Sequence, residues 1–267
     1  MPAFVCIGVP YFLGQRIEGR SEVDAVRASG IAAEIGAPWL DVQPDFHAHP
    51  DPIVAVNRAL AQAVAANPQR TPLIFAADCT SALGVVKGLA PRRTVVLWYD
   101  AHGDFNTPET TPSGFLGGMP LAMLVGRGDL SLLRGVGLNP LPETDVILTD
   151  GRALDPEEAV ALRESAVTHL RRFDDMLAFL LTGRPLYVHL DVDVVDPAEM
   201  PALGYPAPGG PSLEAVAASI QRVARDGQVA AILFSLWDER LATDDRPLQG
   251  TLRLVRAFVE GARARAS

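Results

Sequence analysis

Two short segments place acidic and imidazole side chains at alternate positions. Asp100-Ala101-His102-Gly103-Asp104 follows the apolar run Thr94–Tyr99, and Asp191-Val192-Asp193 follows Leu186–Leu190. A β-strand repeats every two residues, so extended backbone would set Asp100, His102 and Asp104 on one side, and Asp191 with Asp193 likewise. Four carboxylates and an imidazole gathered at the end of an apolar sheet need a cation to neutralise them, which points to a metal centre. Oxygen-rich ligation with a single imidazole favours Mn²⁺ over structural zinc. A lone Asp-x-Asp at a strand end ordinarily caps a loop; two such clusters, each behind an apolar strand, give the metal reading its weight.

The elements that must position these residues are legible as periodicity. Apolar runs rich in β-branched residues recur at Phe4–Val9, Leu73–Ala76, Thr94–Tyr99, Asp145–Leu148, Leu186–Leu190 and Ala230–Leu236. Helical patterns lie between them at Glu22–Ile35, Pro52–Ala66, Thr80–Leu89, Pro156–Glu164, Asp174–Leu181, Ser212–Arg225 and Pro247–Ala264. Continuous apolar strands alternating with helices predict an α/β fold with a parallel sheet covered on both faces. In such a sheet ligands bind beyond the carboxyl ends of the strands, where Pro and Gly cluster at Thr107–Pro120 and Pro197–Pro211.

With 267 residues, 48% of them hydrophobic and 21% charged, the chain suits one domain over 1–267 with a sizeable core. A net charge of -9 disfavours nucleic acid and anionic membrane surfaces as partners and leaves a cationic small molecule as a fitting one. Cys6 and Cys79 both sit in apolar segments, the usage of a reducing compartment. With no leader-like pattern at Met1–Leu13 and no run of membrane-spanning length, a cytoplasmic location is expected. No heptad or interface pattern speaks to oligomeric state.

Asp-Ala-His-Gly-Asp at 100–104 and Asp-Val-Asp-Val-Val-Asp-Pro at 191–197 resemble the two signature motifs of the ureohydrolase family of arginases, agmatinases and formimidoylglutamases. The likeness extends over nearly the whole chain. It implies a three-layer arginase-like fold, with a central eight-stranded, mostly parallel sheet and helices on both faces. It also implies two Mn²⁺ ions sharing a bridging hydroxide, with Asp100 and Asp191 bridging, His102 and Asp193 on one ion and Asp104 on the other. Ala76-Ala77-Asp78-Cys79-Thr80 falls where that family usually has Gly-Gly-Asp-His-Ser, so Cys79 takes the place of the histidine of the second site. A thiolate is a soft ligand poorly matched to Mn²⁺, so one ion is expected to bind firmly and the second weakly.

Further resemblances concern the substrate. Gly117 falls where arginases usually carry a proton-shuttling histidine, and Asp238 stands in for the guanidinium-binding glutamate, with Glu239 as a substitute. Asp104–Gly114 is similar to the arginase loop whose equivalents of Asn106, Thr111 and Ser113 take the substrate's α-carboxylate. Gly151–Glu158 is similar to the segment that recognises the α-ammonium, which points to Asp155 and Glu158; Asp155 before Pro156 also reads as an ordinary helix cap. An amino-acid head group, a missing shuttle and a cysteine in the metal shell resemble the branch that hydrolyses Nω-hydroxy-L-arginine in D-cycloserine biosynthesis. The leading expectation is therefore hydroxyarginine to ornithine and hydroxyurea, with L-arginine to ornithine and urea next, and other guanidino or formimidoyl acids behind. Asp238 or Glu239 would hold the substrate cation, and Asp104 would relay a proton to the departing ornithine nitrogen. A metal-deficient binding protein is the alternative from a different class.

Overall fold

The computed structural model describes residues 2–179 and 183–266. Its strands are β1 (Phe4–Val9), β2 (Tyr11–Phe12), β3 (Gln15–Arg16), β4 (Trp39–Asp41), β5 (Thr71–Ala76), β6 (Val95–Asp100), β7 (Val146–Asp150), β8 (Thr168–Leu170), β9 (Leu186–Asp191) and β10 (Val229–Ser235). Eight of them form one sheet in the order β4-β1-β5-β10-β9-β6-β7-β8, and every neighbouring pair runs parallel. The short β2–β3 hairpin stands apart. All six predicted apolar runs are sheet strands. The edge strands β4 and β8 carry no apolar run because they are three residues long and only partly buried, so burial did not select their composition.

Alternate strand residues supply two cores. Val95, Leu97 and Tyr99 join one with Val188 and Leu190, covered by the helices Glu22–Ala28, Leu213–Asp226 and Arg246–Arg265. Val96 and Trp98 join the other with Tyr187, covered by Pro52–Ala65, Ala82–Leu89, Pro120–Leu124 and Ser131–Val136. Burial of both faces explains why the central strands read as unbroken apolar runs.

Most helix boundaries fall within a few residues of expectation, with two differences. The pattern over Glu22–Ile35 is two helices, Glu22–Ala28 and Ile31–Ile35, because Gly30 adopts φ +81° between them. The helix expected over Asp174–Leu181 is Phe173–Ala178, while Leu180 and Leu181 lie outside the described residues. Among the described residues no helix is long and apolar enough to cross a membrane.

The two long C-terminal helices meet without a spacer. A Cβ on Gly261 would lie 2.1 Å from the Gln221 carbonyl oxygen, so only glycine permits that approach. Gly261→Ala should cost about 1–3 kcal/mol of overpacking. The expected outcome is a melting temperature lower by several degrees with metal stoichiometry unchanged, checked by thermal melts and elemental analysis.

Candidate metal centre

The sheet order sets the carboxyl ends of β5, β10, β9, β6 and β7 side by side, although β9 lies about ninety residues beyond β6 in the chain. Cys79 follows β5, Ser235 ends β10, Asp191 ends β9 and Asp100 ends β6. Their side chains meet. The Cys79 thiol lies 3.1 Å from Asp191 Oδ2 and 3.3 Å from Ser235 Oγ. His102 Nδ1 is 2.9 Å from Asp193 Oδ2 and 3.4 Å from Asp100 Oδ1. Asp100 belongs to two groups of closely spaced donor atoms, one with His102 and Asp193 and one with Cys79 and His189. A shared carboxylate of this kind suits a pair of adjacent ion positions.

Extended backbone is not what gathers these residues. β6 stops at Asp100, and Asp104 adopts φ +46°, a left-handed conformation uncommon for a side-chain-bearing residue. Beyond β9 the chain tightens into a 3-10 turn over Val192–Val194, with Asp191 Oδ1 accepting the Asp193 N–H at 2.9 Å. The side chains of the alternating pattern therefore meet through turns rather than through continued strands.

Buried backbone and side-chain donors hold the carboxylates in place. Asp100 accepts from Trp98 Nε1 at 3.0 Å and from His102 N at 2.7 Å, and Asp193 Oδ1 accepts from Ala101 N at 3.1 Å. Arg152 pairs with Asp150 and donates to the carbonyls of Asp193, Val194 and Ala207, which ties the Asp193 turn to the end of β7. Asp78 accepts from Leu13 N at 2.7 Å and so fastens the β2–β3 hairpin to the end of β5.

The electrostatics are those of an uncompensated acidic site. Burial, reinforced by neighbouring carboxylates, pushes Asp191 up to about 7 and Asp193 up to about 6, and raises Asp100 and, far more, Asp104 above the usual carboxylate range. Burial works against charge on His102, but its bonds to Asp100 and Asp193 overcome that and raise it to about 12. Burial also keeps the Cys79 thiol neutral, aided by the charges of Asp104, Asp191 and Asp100. Asp104 Oδ2 is buried with no hydrogen-bond partner, and so is His189 Nε2. Unpaired buried acceptors and excess negative charge are what a divalent cation would satisfy, so the donor set fits one.

Among the expected substrate residues, Asn106 and Asp155 are brought together, with Asn106 Nδ2 donating to Asp155 Oδ2 at 2.9 Å. Thr111 and Ser113 sit on the same exposed loop with their hydroxyls 3.3 Å apart. Glu158 is buried, and its two oxygens accept the backbone N–H groups of Phe105 and Asp155 at 2.8 and 3.0 Å. Gly103 makes room for it, since a Cβ there would lie 2.6 Å from Glu158 Oε1. Asp238 and Glu239 bond elsewhere than to the cluster: Asp238 grips the Arg240 guanidinium at 2.9 and 2.7 Å, and Glu239 accepts from Trp237 Nε1 at 2.8 Å. Over Gly117 lies the Phe115 ring, whose nearest carbon would be 2.3 Å from an added Cβ. Phe115 packs in turn on Tyr205 and Phe12.

Sequence reasoning overlooked Arg152, Asp150 and His189. The arginine and its aspartate act through backbone contacts that no local pattern reports. His189 did carry a signal: it shares strand parity with Asp191, two residues on.

A parallel sheet bearing an acidic, imidazole-containing cluster at its carboxyl edge defines an α/β protein with a cluster that could hold a cation. The sequence profile of the arginase family matches residues 26–232, and the chain belongs to that family. It is 34% identical to the arginase of Bacillus subtilis (strain 168) over 174 residues, a stretch covering 59% of this chain and only 59% of that relative. Similarity to the arginase of Staphylococcus aureus (strain COL) is 31% over 243 residues, or 76% of this chain and 79% of the relative. A crystal structure of arginase from Bacillus subtilis subsp. subtilis str. 168 superposes with a TM-score of 0.83 at 28% identity, covering 97% of this chain and 98% of that one.

Glu22, at the start of its helix, faces Asp238 and Glu239; burial and those charges push it up to about 7 from 4.5. Below pH 4.5 it is neutral in both folded and unfolded chains, and as pH rises toward 7 the unfolded chain ionises first, so folding loses stability across that window. Glu22→Gln should therefore flatten this part of the stability profile, leaving the melting temperature unchanged near pH 4.5 and raising it by a few degrees near pH 7 and above, read from melts across the range.

Proposed function

We propose that the chain is a metal-dependent hydrolase that cleaves the guanidino group of an arginine-like amino acid. The observation that carries this is the meeting of Asp100, His102, Asp191, Asp193 and the unpaired Asp104 at one sheet edge, with the Asn106–Asp155 pair on the adjoining loops. The relatives named arginases favour L-arginine, with ornithine and urea as products.

Asp100, His102, Asp191 and Asp193, together with Asp104 and Cys79, are the residues that would hold divalent cations. Mn²⁺ bound there supplies a water nucleophile at neutral pH and neutralises the carboxylates. The residues themselves divide the remaining work. Asp104 Oδ2, free of protein partners, can take a proton and return it to the departing amine nitrogen. Asp238 already engages a guanidinium, that of Arg240, with two parallel hydrogen bonds, which supports its assignment to the substrate's cationic end once Arg240 swings away into solvent. Asn106, Thr111 and Ser113 would take the α-carboxylate, and Asp155 the α-ammonium.

Hydroxyarginine is a second reading, favoured by one arrangement: Gly117 offers no imidazole, and the Phe115 ring fills the space above it. A less basic guanidine depends less on proton delivery to its leaving group.

Release of urea or hydroxyurea from L-arginine, Nω-hydroxy-L-arginine and the decarboxylated guanidine agmatine, after Mn²⁺ loading, tests the proposal. Turnover of the two amino acids supports it, and their ratio chooses between the readings; no turnover of any of the three overturns it in favour of a binding protein. Asn106→Ala and Asp155→Ala should raise KM for the amino acid at least tenfold, with a much smaller change for agmatine. Equal effects on both would remove the case for amino-acid recognition.

A further inference from the structure

The imidazole missing at position 79 has a counterpart one strand away. His189 lies on β9, fully buried, with its ring stacked on Trp98 of β6 at 3.5 Å between centroids and 5° between planes. The two residues are register partners in the sheet, so the stack follows from strand pairing and fixes the ring's plane. Its Nδ1 is 3.1 Å from the Tyr187 hydroxyl. Among the described residues its Nε2 is buried with no hydrogen-bond partner, and a nitrogen of the same ring lies within 4.8 Å of a Cys79 and an Asp100 donor atom.

Leaving a buried polar nitrogen unsatisfied ordinarily costs stability. Neither tautomer removes that cost within the protein alone. With the proton on Nε2 a buried donor has no acceptor, and with the proton on Nδ1, donated to the Tyr187 oxygen, a buried lone pair has no donor. The second tautomer is the one a metal-binding histidine adopts, its other nitrogen oriented by a hydrogen bond. Donor atoms spaced within 4.8 Å are close to the span of a single ion, since bonds of roughly 2.0–2.3 Å put two ligands at most about 4.6 Å apart, and a small inward movement of the side chains would close the difference.

The geometry points to His189 as a ligand of the second ion position, where with Cys79 and Asp100 it forms a sulfur, nitrogen and oxygen site suited to a borderline ion such as Zn²⁺ rather than Mn²⁺. This rests on the metal-centre reading above and extends it. The weak Mn²⁺ position implied by Cys79 becomes a position rebuilt for a different ion. A thiolate and an imidazole are the donors that Zn²⁺ and Co²⁺ prefer, whereas the oxygen-rich side of Asp100, His102 and Asp193 keeps its match to Mn²⁺. Trp98 serves both positions, bonding Asp100 through Nε1 while its ring carries His189. Cys79 loses its thiol proton when the ion enters, so binding there releases a proton.

Metal-stripped protein titrated with Co²⁺ tests this independently of turnover. The wild type should bind two ions per chain, one of them producing the near-ultraviolet absorption of a thiolate-to-cobalt charge transfer. Cys79→Ser should abolish that absorption. His189→Gln should weaken the ion responsible for it by at least tenfold and leave the other unchanged. Tyr187→Phe keeps the ring and removes only its orienting partner, so it should weaken the same ion by roughly 10–100-fold even if the His189 variant folds poorly. With equimolar Mn²⁺ and Zn²⁺, elemental analysis should find one of each per chain. Two ions bound with wild-type affinity in both His189→Gln and Tyr187→Phe, or a charge-transfer band surviving Cys79→Ser, would overturn the inference while leaving the metal centre intact. A single Co²⁺ per wild-type chain, without the band, would do the same. No bound metal at all would overturn the metal-centre reading and this inference together.

Discussion

Four aspartates, Asp100, Asp104, Asp191 and Asp193, converge at the carboxyl edge of one sheet with little water to separate their charges. Burial and mutual repulsion raise all four above the ordinary carboxylate range, and a single imidazolium, His102, cannot offset them. A divalent cation among the carboxylates would relieve that repulsion at neutral pH. The rest of the local structure reads as the scaffold that keeps this repulsive group assembled.

The scaffold works largely through backbone hydrogen bonds to charged side chains. Glu158 holds the N–H groups of Phe105 and Asp155, and through them joins the Asp104 turn to the loop after β7. Arg152 draws the carbonyls of Asp193, Val194 and Ala207 onto one guanidinium. Both are expensive groups to bury, and both are compensated by several partners, which is how a buried charge is tolerated. Their consequence is positional: the ligating turns after β6 and β9 are locked to the end of β7.

Outside the cluster the surroundings change character. Phe12 and Tyr205, both substantially exposed, flank the Phe115 ring, and that ring occupies the volume a side chain at position 117 would need. Asp238, Glu239 and the buried Glu22 make a second acidic group, partly neutralised by Arg240 and Arg20. An approach of this kind combines a flat apolar surface with negative charge, a combination suited to a delocalised cation.

Much of this was legible in the order of residues. Apolar runs of fixed length alternating with helical patterns specify a parallel sheet covered on both faces, because burial on two sides leaves no polar position to break the run. The residue types of the candidate cluster were equally plain, since two groups of carboxylates, one with an imidazole, directly follow apolar strands. Edge strands β4 and β8 escaped detection because half-exposed three-residue segments carry no compositional mark. What only the tertiary structure decided was adjacency: strand order set β9 between β10 and β6, and this brought Cys79, Asp191 and Ser235 together and laid His189 on Trp98. Residue periodicity reports which way a side chain faces along its own strand, but contacts between strands depend on crossovers dozens of residues long, whose closure is a property of the whole packed chain.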